Sequence, residues 1–151
     1  MIDSENQDAE APQQSIGKLI SCLYRNSQVY LGKELEQYHI GSGQFSFLMA
    51  LYHEEGITQE CLAYYLKVDK ATSARAVKKL VRAGLVKRKK DLQDKRKLKV
   101  FLTKKGKRME PEIKEISSEW TAILFSGFTK DEKKEIASLL EKMAENASAV
   151  R

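Results

Sequence analysis

A chain of 151 residues with 42% hydrophobic content is long enough for one domain with a real core and too short for two independent ones. Two cysteines 39 positions apart, Cys22 and Cys61, exclude a dense disulfide scaffold and fit a reducing, cytoplasmic setting. No stretch approaches the roughly 18 apolar residues a membrane span needs, and the polar, acidic opening MIDSENQDAEAPQQ has no secretory signal core.

In chain order, residues 1–14 read as a mobile acidic tail. Over 15–38, Ile16, Leu19, Ile20, Leu23, Tyr30, Leu31, Leu35 and Tyr38 recur at three- and four-residue steps, the pattern of one long helix face ended by the turn IGSG at 40–43. A second helix, Gln44 to Glu54, is expected to stop at Gly56 through a left-handed cap. Thr58 has the character of an N-cap for a short helix to Leu66, with Ile57 packing on Leu62 as a hydrophobic staple. Asp69 caps a fourth helix ending at Gly84, where Leu85 can fold back on Leu80. The period then changes to two. Leu85-Val86 starts a basic strand, Leu98, Val100 and Leu102 alternate on a second, and 91–97 form a hairpin tip. Thr103 caps a helix striped by Met109, Ile113, Ile116, Trp120, Ile123 and Leu124, in which Pro111 either makes a kink or marks the effective start. Gly127 breaks it, and Thr129 with Glu132 forms a capping box for a last helix carrying Ile136, Leu139, Leu140 and Met143.

Charge is strongly segregated along this order. Residues 67–108 hold 18 Lys or Arg against Asp69, Asp91 and Asp94, a surplus of 15, while the rest carries an acidic surplus of nine. A positive field this concentrated suits a polyanion such as nucleic acid. A short helix, tight turn and second helix with a basic outer face form a helix–turn–helix, whose second helix enters a major groove. On that helix Lys70, Thr72, Ser73 and Arg75 are placed to reach base edges. Arginine can bind guanine bidentately. Thr58, Lys78, Lys79 and Arg82 fit backbone phosphates. At the hairpin tip Lys95, Arg96 and Lys97 can reach a minor groove, with Asp94 pairing with Arg96 or Arg88 to shape the loop.

The segment DKRKLKVFLTKKG, 94–106, is similar to the wing pattern of the MarR family of winged helix–turn–helix regulators, with Asp94, Arg96, Leu102, Thr103 and Gly106 in place. VDKATSARAVKKLVRAGLVKR, 68–88, resembles that family's recognition helix, with Arg75 where a base contact is often made. The resemblance implies a mainly α fold with a small β-hairpin wing, a winged lobe at 40–103, and dimerisation helices at 15–38 and 104–151. It further implies a homodimer on a pseudo-palindromic double-stranded operator, acting as a repressor released by a small aromatic or anionic effector. The apolar faces of the terminal helices also exceed what a small winged lobe needs, which independently favours a partner chain.

Other chemistry finds little support in the sequence. His39, His53 and the two cysteines match no metal-ligand spacing, and no phosphate loop, Cys/His pair or paired carboxylate suggests an enzyme or a cofactor. Some family members carry a peroxide-sensing cysteine four residues before a tyrosine, whereas Cys22 lies two before Tyr24, a departure that favours an ordinary helix cysteine over a redox sensor. Tyr24, Tyr30, Phe45, Phe47, Tyr52 and Trp120, with Arg25 as an anion partner, are candidates for an effector pocket, but aromatic residues at helical spacing equally describe a core. The alternative from another class is a winged-helix protein-interaction or nonspecific nucleic-acid module.

Overall fold

The computed structural model describes residues 11–150. The expected tail lies outside the described residues up to position 10, and helix α1, Ala11–Leu35, already begins four residues ahead of Ser15. It closes through one 3-10 turn, Glu36–Tyr38, and the left-handed His39, whose N–H donates to the Glu36 carbonyl. Helix α2, Ser42–His53, starts earlier than Gln44, because the Gln44 side chain turns back to accept from the Gly41 N–H at 2.8 Å. Gly56 is not its cap. The helix ends into extended Glu54, and Gly56, φ 81°, instead donates to the Val100 carbonyl at 2.7 Å and feeds a short strand β1, Ile57–Thr58.

Thr58 caps α3, Gln59–Leu66, by accepting from the Cys61 N–H at 3.1 Å, and Asp69 caps α4, Lys70–Arg82, by accepting from Thr72 N–H at 2.6 Å. Gly84 in the left-handed region ends α4, with Gly84 N–H donating to Val81 and Leu85 N–H to Leu80, each at 3.0 Å, the paired bonds of a Schellman end. Strands β2, Val86–Lys90, and β3, Leu98–Leu102, pair antiparallel from Val86↔Leu102 to Lys90↔Leu98. β1 adds to the other edge of β3 with Ile57↔Val100, a third strand the sequence pattern does not reveal.

The single helix expected after Thr103 is two, α5, Lys104–Arg108, and α6, Glu110–Leu124, meeting at Met109. Pro111 lies in the first turn of α6 and so marks a start rather than a kink within a continuous helix. Gly127, φ 82°, breaks the chain, and the Thr129–Glu132 capping box opens α7, Lys130–Ser148.

One core joins these elements. Leu35, Leu48, Leu51, Leu62, Val77, Leu80, Leu85, Val100 and Ile113 are all fully buried, which fastens the end of α1 and the first half of α6 to the winged lobe. Each such side chain contributes about 1.5–3 kcal/mol on leaving water. By contrast α7 buries no residue, and Leu19, Leu23, Ile123, Leu139 and Leu140 remain between 45% and 59% exposed along α1, α6 and α7.

Candidate nucleic-acid interface

The two helices of the helix–turn–helix are locked by a buried side chain. Ser73 is fully buried, and its hydroxyl donates to the Gln59 carbonyl at 2.8 Å, tying α4 to the first residue of α3. This corrects the expected base contact at Ser73, whose hydroxyl faces the protein. Thr72 is half-buried and Arg75 exposed, and the Arg75 guanidinium donates to the Thr72 hydroxyl at 3.2 Å. The Asp69 carboxyl that caps this turn is held below its ordinary pKa, chiefly by the Thr72 N–H. Thr72 therefore sits on an ordered first turn of α4, with Arg75 hydrogen-bonded to it from the next turn.

Lys70 is exposed and pairs with Glu60 of α3 at 3.4 Å. A cleft of about 220 Å³ runs between α3, α4 and the wing, lined in part by Thr58, Gln59, Lys70, Arg96 and Lys97. Four residues selected from sequence thus converge from three elements. Gln59 is the member that sequence reasoning missed. Its side-chain carbonyl is buried without a hydrogen-bond partner in the protein, and a glutamine after a capping threonine gives no signal of that. The Thr58 oxygen accepts from Cys61 as a cap, leaving the hydroxyl proton available to a phosphate. Lys78, Lys79 and Arg82 are exposed farther along α4. Lys79 and Arg82 border a separate hollow of about 450 Å³ against His39, Gly41 and Gln44, so they lie away from the cleft at the wing.

The wing tip is shaped by its own carboxylates. Asp91 accepts from Gln93 N–H at 2.8 Å, and Asp94 accepts from Arg96 N–H at 3.1 Å and from its guanidinium at 3.2 Å. Of the two partners expected for Asp94, the structure selects Arg96, whose hydrogen bonds hold the carboxyl below its ordinary pKa. The Arg96 side chain is still 91% exposed, and Lys95 and Lys97 are exposed beside it. At the wing base, Thr103 donates to the Gly84 carbonyl at 2.6 Å and accepts from Gly106 N–H at 3.1 Å, joining the β3 exit to the end of α4. Tip and recognition helix therefore share one rigid support.

The aromatic candidates do not form a single pocket. Tyr30 stacks on Trp120 with centroids 4.7 Å apart, and the indole N–H donates to Ser27 at 3.0 Å. Tyr52 donates to the Gly106 carbonyl at 2.7 Å, its phenol pushed well up by burial, and Phe47 is core. Tyr24 and Arg25 are exposed on α1. Phe45 lines an open cavity, about 360 Å³, with Met49, His53, Tyr65, Leu66 and Ser117 among its walls. Cys22 and Cys61 are both exposed free thiols. Among the described residues no group of three or more potential ligands could hold a metal, and no helix is long and apolar enough to cross a membrane.

Known proteins share this fold. A family model described as MarR family matches residues 40–98. The chain is 38% identical to an HTH-type transcriptional regulator of Bacillus subtilis, YybA, over 75% of each chain. Among solved structures, a MarR transcriptional regulator from Methanosarcina mazei is 54% identical with a TM-score of 0.85, covering 91% of this chain and 99% of its own. A putative MarR family regulator from Listeria monocytogenes, crystallised with 26mer DNA, is 30% identical with a TM-score of 0.77 over 91% of this chain and 89% of its own.

Proposed function

This chain belongs to the MarR family, and from that membership we propose that it is a DNA-binding transcription regulator whose winged lobe, residues 40–103, reads a duplex. The family's members are transcription regulators rather than enzymes. The observation that supports the site assignment is the exposed Arg75, hydrogen-bonded to Thr72 on α4, on the helix whose Lys70 lines one cleft with the wing-tip Arg96. In this reading Arg75, with Thr72 and Lys70, faces base edges in the major groove, and Arg96, with Lys95 and Lys97, enters the adjacent minor groove. Thr58, Lys78, Lys79 and Arg82 meet phosphates. The cleft at Thr58, Gln59 and Lys97 offers a seat for the backbone between the two grooves.

A dimer is typical of the family, and the uncovered apolar faces of α1, α6 and α7 support a homodimer built from the segments 15–38 and 104–151. Two copies would set their recognition helices in successive major grooves, about 34–36 Å apart, on a pseudo-palindromic operator. Sedimentation should give a dimer at micromolar concentration, and a stable monomer would refute that assembly. Repression relieved by a small effector is the mode we assign, with the Phe45 cavity as the opening available to such a ligand.

Competition binding at fixed salt tests the function. The protein should prefer DNA upstream of its own gene over random duplex by at least about a thousandfold. A flat sequence profile would overturn sequence-specific regulation and favour a nonspecific winged module.

A further inference from the structure

Leu92 stands 97% exposed at the tip of the wing, the most open large apolar side chain among the described residues. Most of the others lie on α1, α6 and α7, where a second copy can cover them, or on α3 as Tyr64 and Tyr65. Leu92 instead interrupts a tip that is otherwise polar, Asp91, Gln93, Asp94, Lys95, Arg96 and Lys97. Its position is fixed from both sides. Asp91 donates its N–H to the Lys97 carbonyl at 2.9 Å, closing the loop, and its carboxylate holds the Gln93 N–H at 2.8 Å immediately across Leu92. Held outward in this way, Leu92 has no cover within its own chain and is available to whatever surface the wing meets.

We propose that Leu92 is a DNA-contacting residue that enters the minor groove beside Arg96 and packs against the deoxyribose walls. The inference rests on the wing reading given above and adds a contact of a different chemistry. The minor groove is about 6 Å wide, its walls present sugar C–H groups, and apolar side chains are a recurrent means of filling it. The surrounding cations make a polyanion the natural surface for this tip rather than an apolar protein groove. Because G·C pairs project an amino group into the minor groove, an apolar occupant favours A·T pairs beneath the wing. Because the contact displaces no counterions, its share of the affinity is independent of salt.

The test is a salt series of binding isotherms with the full chain and an operator duplex, comparing Leu92→Asn, Leu92→Met and Arg96→Ala. Leu92→Asn should weaken binding about fivefold per wing, the value of covering roughly half a leucine, with the slope of log affinity against log salt unchanged. Leu92→Met should restore it. Arg96→Ala should weaken binding and lower that slope by about one per wing. If Leu92→Asn binds like the wild type while Arg96→Ala behaves as stated, the Leu92 contact is refuted and the wing reading stands. If neither substitution matters, the wing reading itself fails. A changed slope for Leu92→Asn would mean a displaced wing and would also overturn the contact.

Discussion

Gly106→Ala is a sensitive probe of how the wing is mounted. In an ordinary helix interior, replacing glycine by alanine stabilises by up to about 1 kcal/mol. Gly106 lies buried in α5, and a Cβ there would stand 2.2 Å from the Leu85 carbonyl oxygen and 3.1 Å from its carbon. Both are backbone atoms and cannot swing aside as a side chain would. The start of β2 must therefore retreat, which opens the bond from Thr103 N–H to Leu85 and disturbs the bond from Tyr52 to the Gly106 carbonyl. Overpacking costs about 1–3 kcal/mol and each weakened hydrogen bond about 1. After the propensity gain is set against these, the net loss is about 2–4 kcal/mol. Urea unfolding at fixed protein concentration measures it, with Gly43→Ala as the control because a Cβ at Gly43 meets nothing within 4 Å. An unfolding midpoint for Gly106→Ala equal to or above the wild type would refute the claim that this close approach holds the wing base.

Ser73→Ala should lower stability by about 1 kcal/mol by removing the bond to Gln59, while selection from a random duplex library returns the wild-type base preferences; an altered preference would restore Ser73 as a reader. Arg75→Ala should relax one base position in each half-site by about 1–3 kcal/mol, whereas Lys78→Ala should weaken all sequences alike and reduce the salt slope by about one for each phosphate no longer neutralised. Unchanged specificity in Arg75→Ala would remove Arg75 from the reading surface. The Asp94 carboxyl has its folded pKa lowered, chiefly by hydrogen bonds from Arg96. Its contribution to wing order is therefore complete above the ordinary carboxylate value and lost as pH falls through the lower folded one. Amide exchange at Arg96 should accelerate relative to a rigid core amide over that acidic window, and Asp94→Asn should abolish the step; an identical profile in that variant would exclude the carboxylate.

What is legible in the sequence is local. Thr58, Asp69, Thr103 and Thr129 each cap a helix with an oxygen that meets an N–H three residues on, so type and spacing alone disclose them. β1 is hidden because two residues show no alternation and its partner strand lies some 40 positions away. Gly56 misleads for the same reason: its left-handed backbone serves the distant Val100 carbonyl, not the helix that precedes it. Ser73 is more instructive. It shares a stripe with Ala76, Val77 and Leu80 at helical spacing, all buried, so its position is readable. Its hydroxyl suggests a surface role because the carbonyl that receives it belongs to another helix. The aromatic candidates separate because similar helical spacing leads to different surroundings: Tyr24 is exposed, Tyr30 stacks on Trp120, Phe47 is core and Phe45 lines a cavity.

The basic segment contains three acids among 18 cations, and their placement separates attraction from recognition. Asp69 holds the Thr72 N–H just before Arg75, Asp91 holds the Gln93 N–H across Leu92, and Asp94 holds the Arg96 N–H together with its guanidinium. Every acid in the segment is thus engaged in fixing backbone at a proposed reading tip. Lysines on flexible stems supply a field that acts alike on all sequences, and such a field cannot choose between them. Discrimination needs side chains whose position is set before contact, because a tip ordered only on binding loses part of the gain in ordering it. Converting these acids to neutral residues would raise the positive charge and strengthen attraction to any duplex. It would also loosen both tips, so affinity for random DNA would rise as preference for the operator fell.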